Sequence, residues 1–436
     1  MRIASVLLFC SLMAPAFAAQ ADDNILTIYQ QAIEFDPTLK AARFQLEISE
    51  AQRAQAGSAL LPQVSASANI SSNEQLEGAP VQNKDYLGQR YVASLTQTVF
   101  DAPKLLNWER FHSIVEQQEA NQKDALQNLM YNVVERYFKI LEYNDTLNLI
   151  IQEISSTQKE LDQLRRQYEM QVVKITDVYE LEAKLDSLAA DKIAAATQVD
   201  IAKQNLMELT GQEVNGILQL RNDIPFEPLT GDIDTLVAQA KERNPALLAQ
   251  QKSIAAAATN VDQQKARHLP TVDAQASYNN SNYGFQNTQT NTTETRVVGV
   301  NINVPLFSGG ATTHATEEAS KNLELNKQKQ QSLLGELIRE IHDAFLSTNA
   351  NVQRIFAAEK ALRSATKARE AMEKGFQYNM QTIGDVLVSQ AREFKAKRDI
   401  LQAKYEYIKQ RSRFERFTGQ IDEQYLAMIN QWLRVN

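Results

Sequence analysis

The side chains able to do chemistry are few and scattered. Four histidines, His112, His268, His314 and His342, fall in separate segments. Neither a cysteine nor a second histidine stands at ligand spacing from any of them, so no metal site is expected. No nucleophile elbow, phosphate-cradling glycine loop or zinc-binding helix motif occurs, and the expectation is a chain without catalysis or cofactor. The single cysteine, Cys10, lies in the first apolar run and leaves the rest of the chain without thiol chemistry. What remains is a matched pair of aspartates, Asp177 and Asp385, with Thr176 and Thr382 close before them. Each can satisfy free N–H groups at the start of a helix.

The elements that position these aspartates follow from the pattern of the whole chain. Residues 1–18 carry Arg2, an apolar run from Ile3 to Met13, and Ala16-Phe17-Ala18, the small-x-small spacing cut by a signal peptidase, so the protein is expected to be exported. Without Arg2 the chain holds 44 basic and 53 acidic side chains, a net charge of −9. That balance argues against nucleic acid as a partner. No later run of eighteen apolar residues occurs, so an exported chain of this kind stays soluble or enters a membrane as a β-barrel.

Sliding the sequence on itself by 208 residues superimposes Asp36-Pro37 on Asn244-Pro245, Leu61-Pro62 on Leu269-Pro270, Asp177-Val178 on Asp385-Val386, and Thr210-Gly211 on Thr418-Gly419. The expected organisation is a repeat over 19–211, a non-periodic segment over 212–230, a second repeat over 231–419 and a tail over 420–436. Each repeat opens with a helix, capped by Asp36 or Asn244 with proline next, and stopped at Leu-Pro. Apolar residues then alternate at Val64, Ala66, Ala68 and Ile70, and again from Tyr91 to Val99, which predicts a hairpin with a polar loop over 71–86. Strands over 271–278 and 297–307, around a loop over 279–295 with Tyr283 and Phe285, repeat it.

Beyond each hairpin the period becomes seven. Leu126, Val133, Ile140, Leu147, Ile154, Leu161 and Tyr168 form one seam; Leu334, Ile341, Thr348, Ile355, Leu362, Arg369 and Phe376 form its less regular counterpart. A helix over 104–167 would be roughly 96 Å long, a rod that spans a distance. Its return helix makes a hairpin with a tip between Tyr168 and Asp177; the second tip lies between Phe376 and Asp385.

This order of helix, Leu-Pro, β-hairpin, Phe-Asp-Ala-Pro or Phe-Ser-Gly-Gly, long helix, tip and return helix, twice over after an export signal, resembles the TolC-like outer-membrane factor family, nearest its type I secretion and efflux branch. The resemblance implies a mainly α protein with a membrane β-barrel, a homotrimer pooling four strands per chain into twelve. It also implies a coiled-coil tunnel through the periplasm and a location in the outer membrane of a Gram-negative cell. The implied function is an exit duct fed by a periplasmic adaptor and an inner-membrane transporter, either an ABC exporter or a proton-driven pump. By the same resemblance Asp385, and with less support Asp177, narrows the entrance as an acidic ring, and Met170, Gln171, Val172, Asn379, Met380 and Gln381 meet the adaptor. The chain departs from the family at Val388, where a second acid is usual, and at Gln381 and Phe376, where an arginine and a tyrosine latch the entrance. Gln171 and Asn379 replace tip glycines, and asparagine suits a left-handed turn better than glutamine. The competing expectation is a soluble periplasmic or surface coiled-coil tether or scaffold, in which both aspartates are helix caps.

Overall fold

The computed structural model describes residues 24–74, 85–214, 216–221, 223–282, 292–378 and 380–434. The expected signal segment, Cys10, the centres of both polar loops with Tyr283 and Phe285, and Asn379 lie outside the described residues.

The first repeat begins earlier than its Asp-Pro signal. Helix α1 (Ile25–Phe35) is capped by Asn24, whose side chain accepts from the Thr27 N–H at 2.9 Å. Asp36 then ends α1 and caps α2 (Pro37–Ser58), its carboxylate accepting from the Leu39 N–H at 2.6 Å. Pro62 closes that helix, and strands β1 (Gln63–Glu74) and β2 (Asp85–Phe100) follow. Asp101 caps α3 (Ala102–Glu169), accepting from the Lys104 N–H at 3.0 Å. With no glycine and no proline after Pro103, α3 runs 68 residues unbroken. That is about 102 Å at the helical rise. The return helix α4 (Ile175–Thr210) ends at Gly211.

The chain then passes through the two-residue strand β3 (Gln219–Leu220), α5 (Ile233–Arg243) and α6 (Pro245–Lys265). Strands β4 (Thr271–Ser281) and β5 (Thr293–Asn303) lead to the rod α7 (Ala311–Gln377), and α8 (Ile383–Phe417), α9 (Glu423–Asn430) and β6 (Leu433–Arg434) complete it. The expected strand over 297–307 is displaced: β5 starts at Thr293 and stops at Asn303, because Pro305 has no N–H to give a ladder. The strands also climb into both predicted loops, to Glu74 and from Asp85 in the first hairpin.

The four long strands form one antiparallel sheet in the order β1-β2-β4-β5, so the two hairpins meet through β2 and β4. Register places Val64 opposite Leu95, Leu95 opposite Ala276 and Ala276 opposite Val298. Opposed residues share a face, so Val64, Ala66, Ala68, Ala93, Leu95, Ala276, Val298 and Val300 make one apolar side. Ser65, Ser67, Ser94, Thr96, Gln275 and Ser277 make the other face largely polar, with Val92 and Val297 among them.

The main core sits at mid-rod. Ile25 and Ile28 of α1, Tyr137, Phe138 and Ile140 of α3, Leu206 of α4, Tyr405, Tyr407 and Ile408 of α8, and Leu426 and Ile429 of α9 are completely buried there. Phe138 lies between Tyr137 and Tyr405, with ring centroids at 5.7 and 6.3 Å. Buried hydroxyls need partners. Tyr405 donates to Asp145 at 2.5 Å and Tyr407 to the Glu227 carbonyl at 2.8 Å, while burial and the nearby Asp145 carboxylate push the Tyr405 phenol far up. The segment after Gly211 and the tail meet on this core, where β3 pairs with β6.

Candidate functional site

The two hairpin tips share a second, smaller core. Leu161 and Leu164 of α3, Val178 and Leu181 of α4, and Ile383 and Val386 of α8 are buried together, with Val173, Met372 and Phe376 packed against them. Between the hairpins lies a cleft of about 390 Å³ whose lining includes Glu160, Leu164, Leu181, Glu373 and Phe376. Phe376, where the family pattern has a latching tyrosine, is half-buried against this core.

The turns themselves are built by hydrogen bonds that satisfy the last free carbonyls of the rods. At the first tip the Val172 N–H reaches the Gln167 carbonyl at 2.9 Å and the Gln171 N–H reaches Tyr168 at 2.8 Å. At the second the Met380 N–H reaches the Gly375 carbonyl at 2.8 Å. Gln171 adopts the left-handed conformation, φ 60°, so the turn survives at the tip where glutamine makes it more costly. Replacing Gln171 with glycine is expected to raise the thermal midpoint, by up to about 1 kcal/mol of stability, since the left-handed penalty exceeds the entropy glycine loses. A lower midpoint would mean that the glutamine side chain contributes more than the strain costs. Met170, Val172 and Met380 are exposed around these turns, as is Gln381, whose Cγ lies 2.7 Å from where a Cβ on Gly375 would stand. Nothing in the spacing of the sequence signals that Gly375 is needed to seat Gln381.

Asp177 and Asp385 both fall three residues inside their return helices and reach back to the cap. The more complete cap is at Asp385. Thr382 accepts from the Asp385 N–H at 3.2 Å, while the Asp385 carboxylate accepts from the Thr382 N–H at 3.0 Å and its hydroxyl at 2.8 Å. This is the reciprocal box in which two free donors are satisfied at once. At Asp177 the capping position is held by Lys174, which has no side-chain acceptor, and the box reduces to one bond from the Lys174 N–H at 3.3 Å; Thr176 takes no part. The Thr382 hydroxyl and N–H hold the Asp385 carboxyl below the usual carboxylate range, so it is ionised at neutral pH, and it is exposed. An acid of the other repeat stands beside the first turn of α8: Glu180 Oε2 on α4 lies 3.6 Å from where a Cβ on Gly384 would be.

Arg369, the polar interruption of the second seam, is an ion-pair centre missed by the heptad pattern. It binds both oxygens of Glu373, at 2.6 and 2.7 Å, and also Glu393, which in turn pairs with Lys397 at 3.1 Å. The four histidines lie apart on α3, the Leu-Pro turn and α7.

The sequence model of the outer membrane efflux protein family matches residues 28–212 and again 236–420. The chain belongs to the outer membrane efflux protein family. It is thus an outer-membrane export channel reaching into the periplasm, a duct with no catalytic task, and the soluble tether is set aside. The family's fold recurs in solved channels: the Campylobacter jejuni CmeC outer membrane channel superposes with a TM-score of 0.81 at 17% identity, covering 95% of this chain and 90% of that one. VceC of Vibrio cholerae gives 0.78 at 18%, covering 91% and 96%. Among curated relatives, outer membrane protein TolC of Vibrio cholerae is 28% identical over 95% of this chain and 94% of its own. Among the described residues no helix of this family member is long and apolar enough to cross a membrane, and the sheet carries an exposed apolar face.

Proposed function

We propose that three copies of the chain close their sheets into one twelve-stranded barrel, continued into the periplasm by α3, α4, α7 and α8 as a tunnel. The observation that carries this is the pair of open edges. Among the described residues β1 and β5 are the outer strands of the sheet, each paired with a strand on one side only, and Val64, Val298 and Val300 are 78%, 86% and 64% exposed on its apolar face. Hydrocarbon cannot satisfy such edges, so closure by further copies is the physical solution. The mass of the protein extracted intact from outer membranes should be that of a trimer; a monodisperse monomer would overturn the proposal.

In this trimer Asp385 forms an acidic ring at the periplasmic entrance. Its cap supports the reading, because it fixes the carboxylate at the start of α8 in the ionised form that a cation-attracting ring requires. Asp177, less exposed and more weakly tied, is the lesser candidate. In planar bilayers Asp385→Ala should reduce cation preference and weaken block by trivalent cations, with Asp177→Ala changing neither. If Asp385→Ala only lowers thermal stability, the aspartate is a cap and nothing more.

The exposed tip residues Met170, Gln171, Val172, Met380 and Gln381, with Asn379, form the surface for a periplasmic adaptor that couples the duct to an ABC or proton-driven transporter of the inner membrane. The names of relatives support a shared duct with differing cargo: outer membrane protein TolC, and the alkaline protease secretion protein AprF. A passive tunnel leaves the choice of cargo to the transporter.

A further inference from the structure

We propose that Glu160 is a proton-responsive tie that sets how tightly the two helical hairpins hold each other near their tips. The inference goes beyond the trimeric duct, and needs only the two hairpins of one chain.

The geometry is a shared amide with too little charge to neutralise what it touches. Gln390, buried on α8, donates from Nε2 to Glu160 Oε1 on α3 at 2.7 Å, and the same nitrogen lies 3.5 Å from Glu373 Oε1 on α7. Carboxylates of opposite hairpins therefore lie within about 6 Å of each other, the range in which like charges disturb one another. The nearby cation does not resolve this. Arg369 binds Glu373 through both oxygens, Glu393 as well, and stands 3.8 Å from Glu370, while Lys397 is paired with Glu393. Thr366 donates to Glu393 at 3.3 Å. From α4 the cleft receives Leu181, which carries no charge. Glu160 Oε2 is shielded from water and finds no hydrogen-bond partner among the described residues.

An ionised Glu160 thus places a desolvated, half-satisfied carboxylate against the carboxylate of the other hairpin. A protonated Glu160 removes that repulsion and no longer holds a charge on the unpartnered, shielded oxygen. Burial raises the Glu160 carboxyl above its ordinary value, and Glu373 adds to this, against the lowering effects of Gln390 and Arg369. Because the raised value belongs to the state with the hairpins together, their contact is strongest in acid. It weakens as the pH rises from the ordinary glutamate range through the raised value.

Distance measurement by pulsed electron paramagnetic resonance tests this on the intact protein in detergent. The chain's one cysteine is Cys10, so spin labels at the exposed positions Ser156→Cys on α3 and Ala391→Cys on α8 report the hairpin separation. Between about pH 8 and about pH 4, just below the ordinary glutamate value, the distance distribution should narrow and shift to shorter values as the carboxyl takes up its proton. Glu160→Gln, which imitates the protonated form, should hold the short distribution at both pH values, and Asp385→Asn should leave the response intact. A pH-independent distance in the otherwise unaltered protein overturns the proposal, as does a full response in Glu160→Gln. The readout does not depend on conduction or on subunit number, so a monomeric preparation fails the trimer reading without deciding this one.

Discussion

Gly419→Ala is expected to destabilise the chain by about 2–5 kcal/mol, the sum of a left-handed backbone penalty and overpacking against atoms that cannot retreat. Gly419 ends α8 at φ 72°, closing the helix by its own N–H to the Arg416 carbonyl at 3.1 Å and by Gln420 to Glu415 at 2.8 Å. A Cβ there would stand 2.9 Å from the Arg243 carbonyl oxygen and 3.3 Å from the Asn244 nitrogen. Those atoms form the joint between α5 and α6. Asn244, 4% exposed, pins the joint by accepting from the Leu247 N–H and donating to the Phe417 carbonyl, each at 3.1 Å. The equivalent Gly211→Ala is the control. Its φ is 68° and its Cβ would meet the Phe35 ring at 2.4 Å, but that ring is 44% exposed and can turn aside. The cost there should approach the backbone penalty alone, about 1–2 kcal/mol. Unfolding of both variants in detergent measures the difference; equal losses would remove the argument from the rigid joint.

Val298→Arg should cost about 2–4 kcal/mol if the apolar face of the sheet meets the middle of the bilayer. Val298 is central in β5, opposite Ala276, and 86% exposed in the single chain. Asn301→Arg, on the other face of the same strand, should fold normally and alter ion selectivity instead, since that face lines the lumen in the proposed barrel. Denaturant unfolding from lipid vesicles, together with the amount of protein reaching the outer membrane, gives the comparison. If Asn301→Arg were the damaging change and Val298→Arg the silent one, the sheet would be turned inside out relative to the proposal.

Much of the architecture is written in local chemistry. Asp36, Asp101 and Asn244 can each cap the residues just after them, and the prolines at 62 and 270 end one element and start another within a few positions. Alternation at Val64 to Ile70 and the seven-residue seam from Leu126 to Tyr168 announce strand and rod because side-chain direction repeats with the backbone. The 208-residue offset and the paired aspartates are plain in the sequence for the same reason: they compare like with like along the chain.

What the tertiary structure alone decided concerns residues far apart. Helix α1 carries apolar positions at Ile25, Ile28, Tyr29 and Ala32, yet only its burial between α3, α4 and α9 shows it to be part of the main core. The joining of hairpins through β2 and β4, the meeting of β3 with the last strand, and the contact of Glu180 with the start of α8 link residues that no local period connects. The sequence offers both aspartates as helix caps because they look alike locally. The fold separates them, since only the second return helix begins at a threonine whose hydroxyl both accepts and donates. Likewise Arg369 reads as a defect in a seam until Glu373 and Glu393 are brought around it. Local pattern fixes which way a side chain points; which charge, ring or backbone atom it then meets is set by folding.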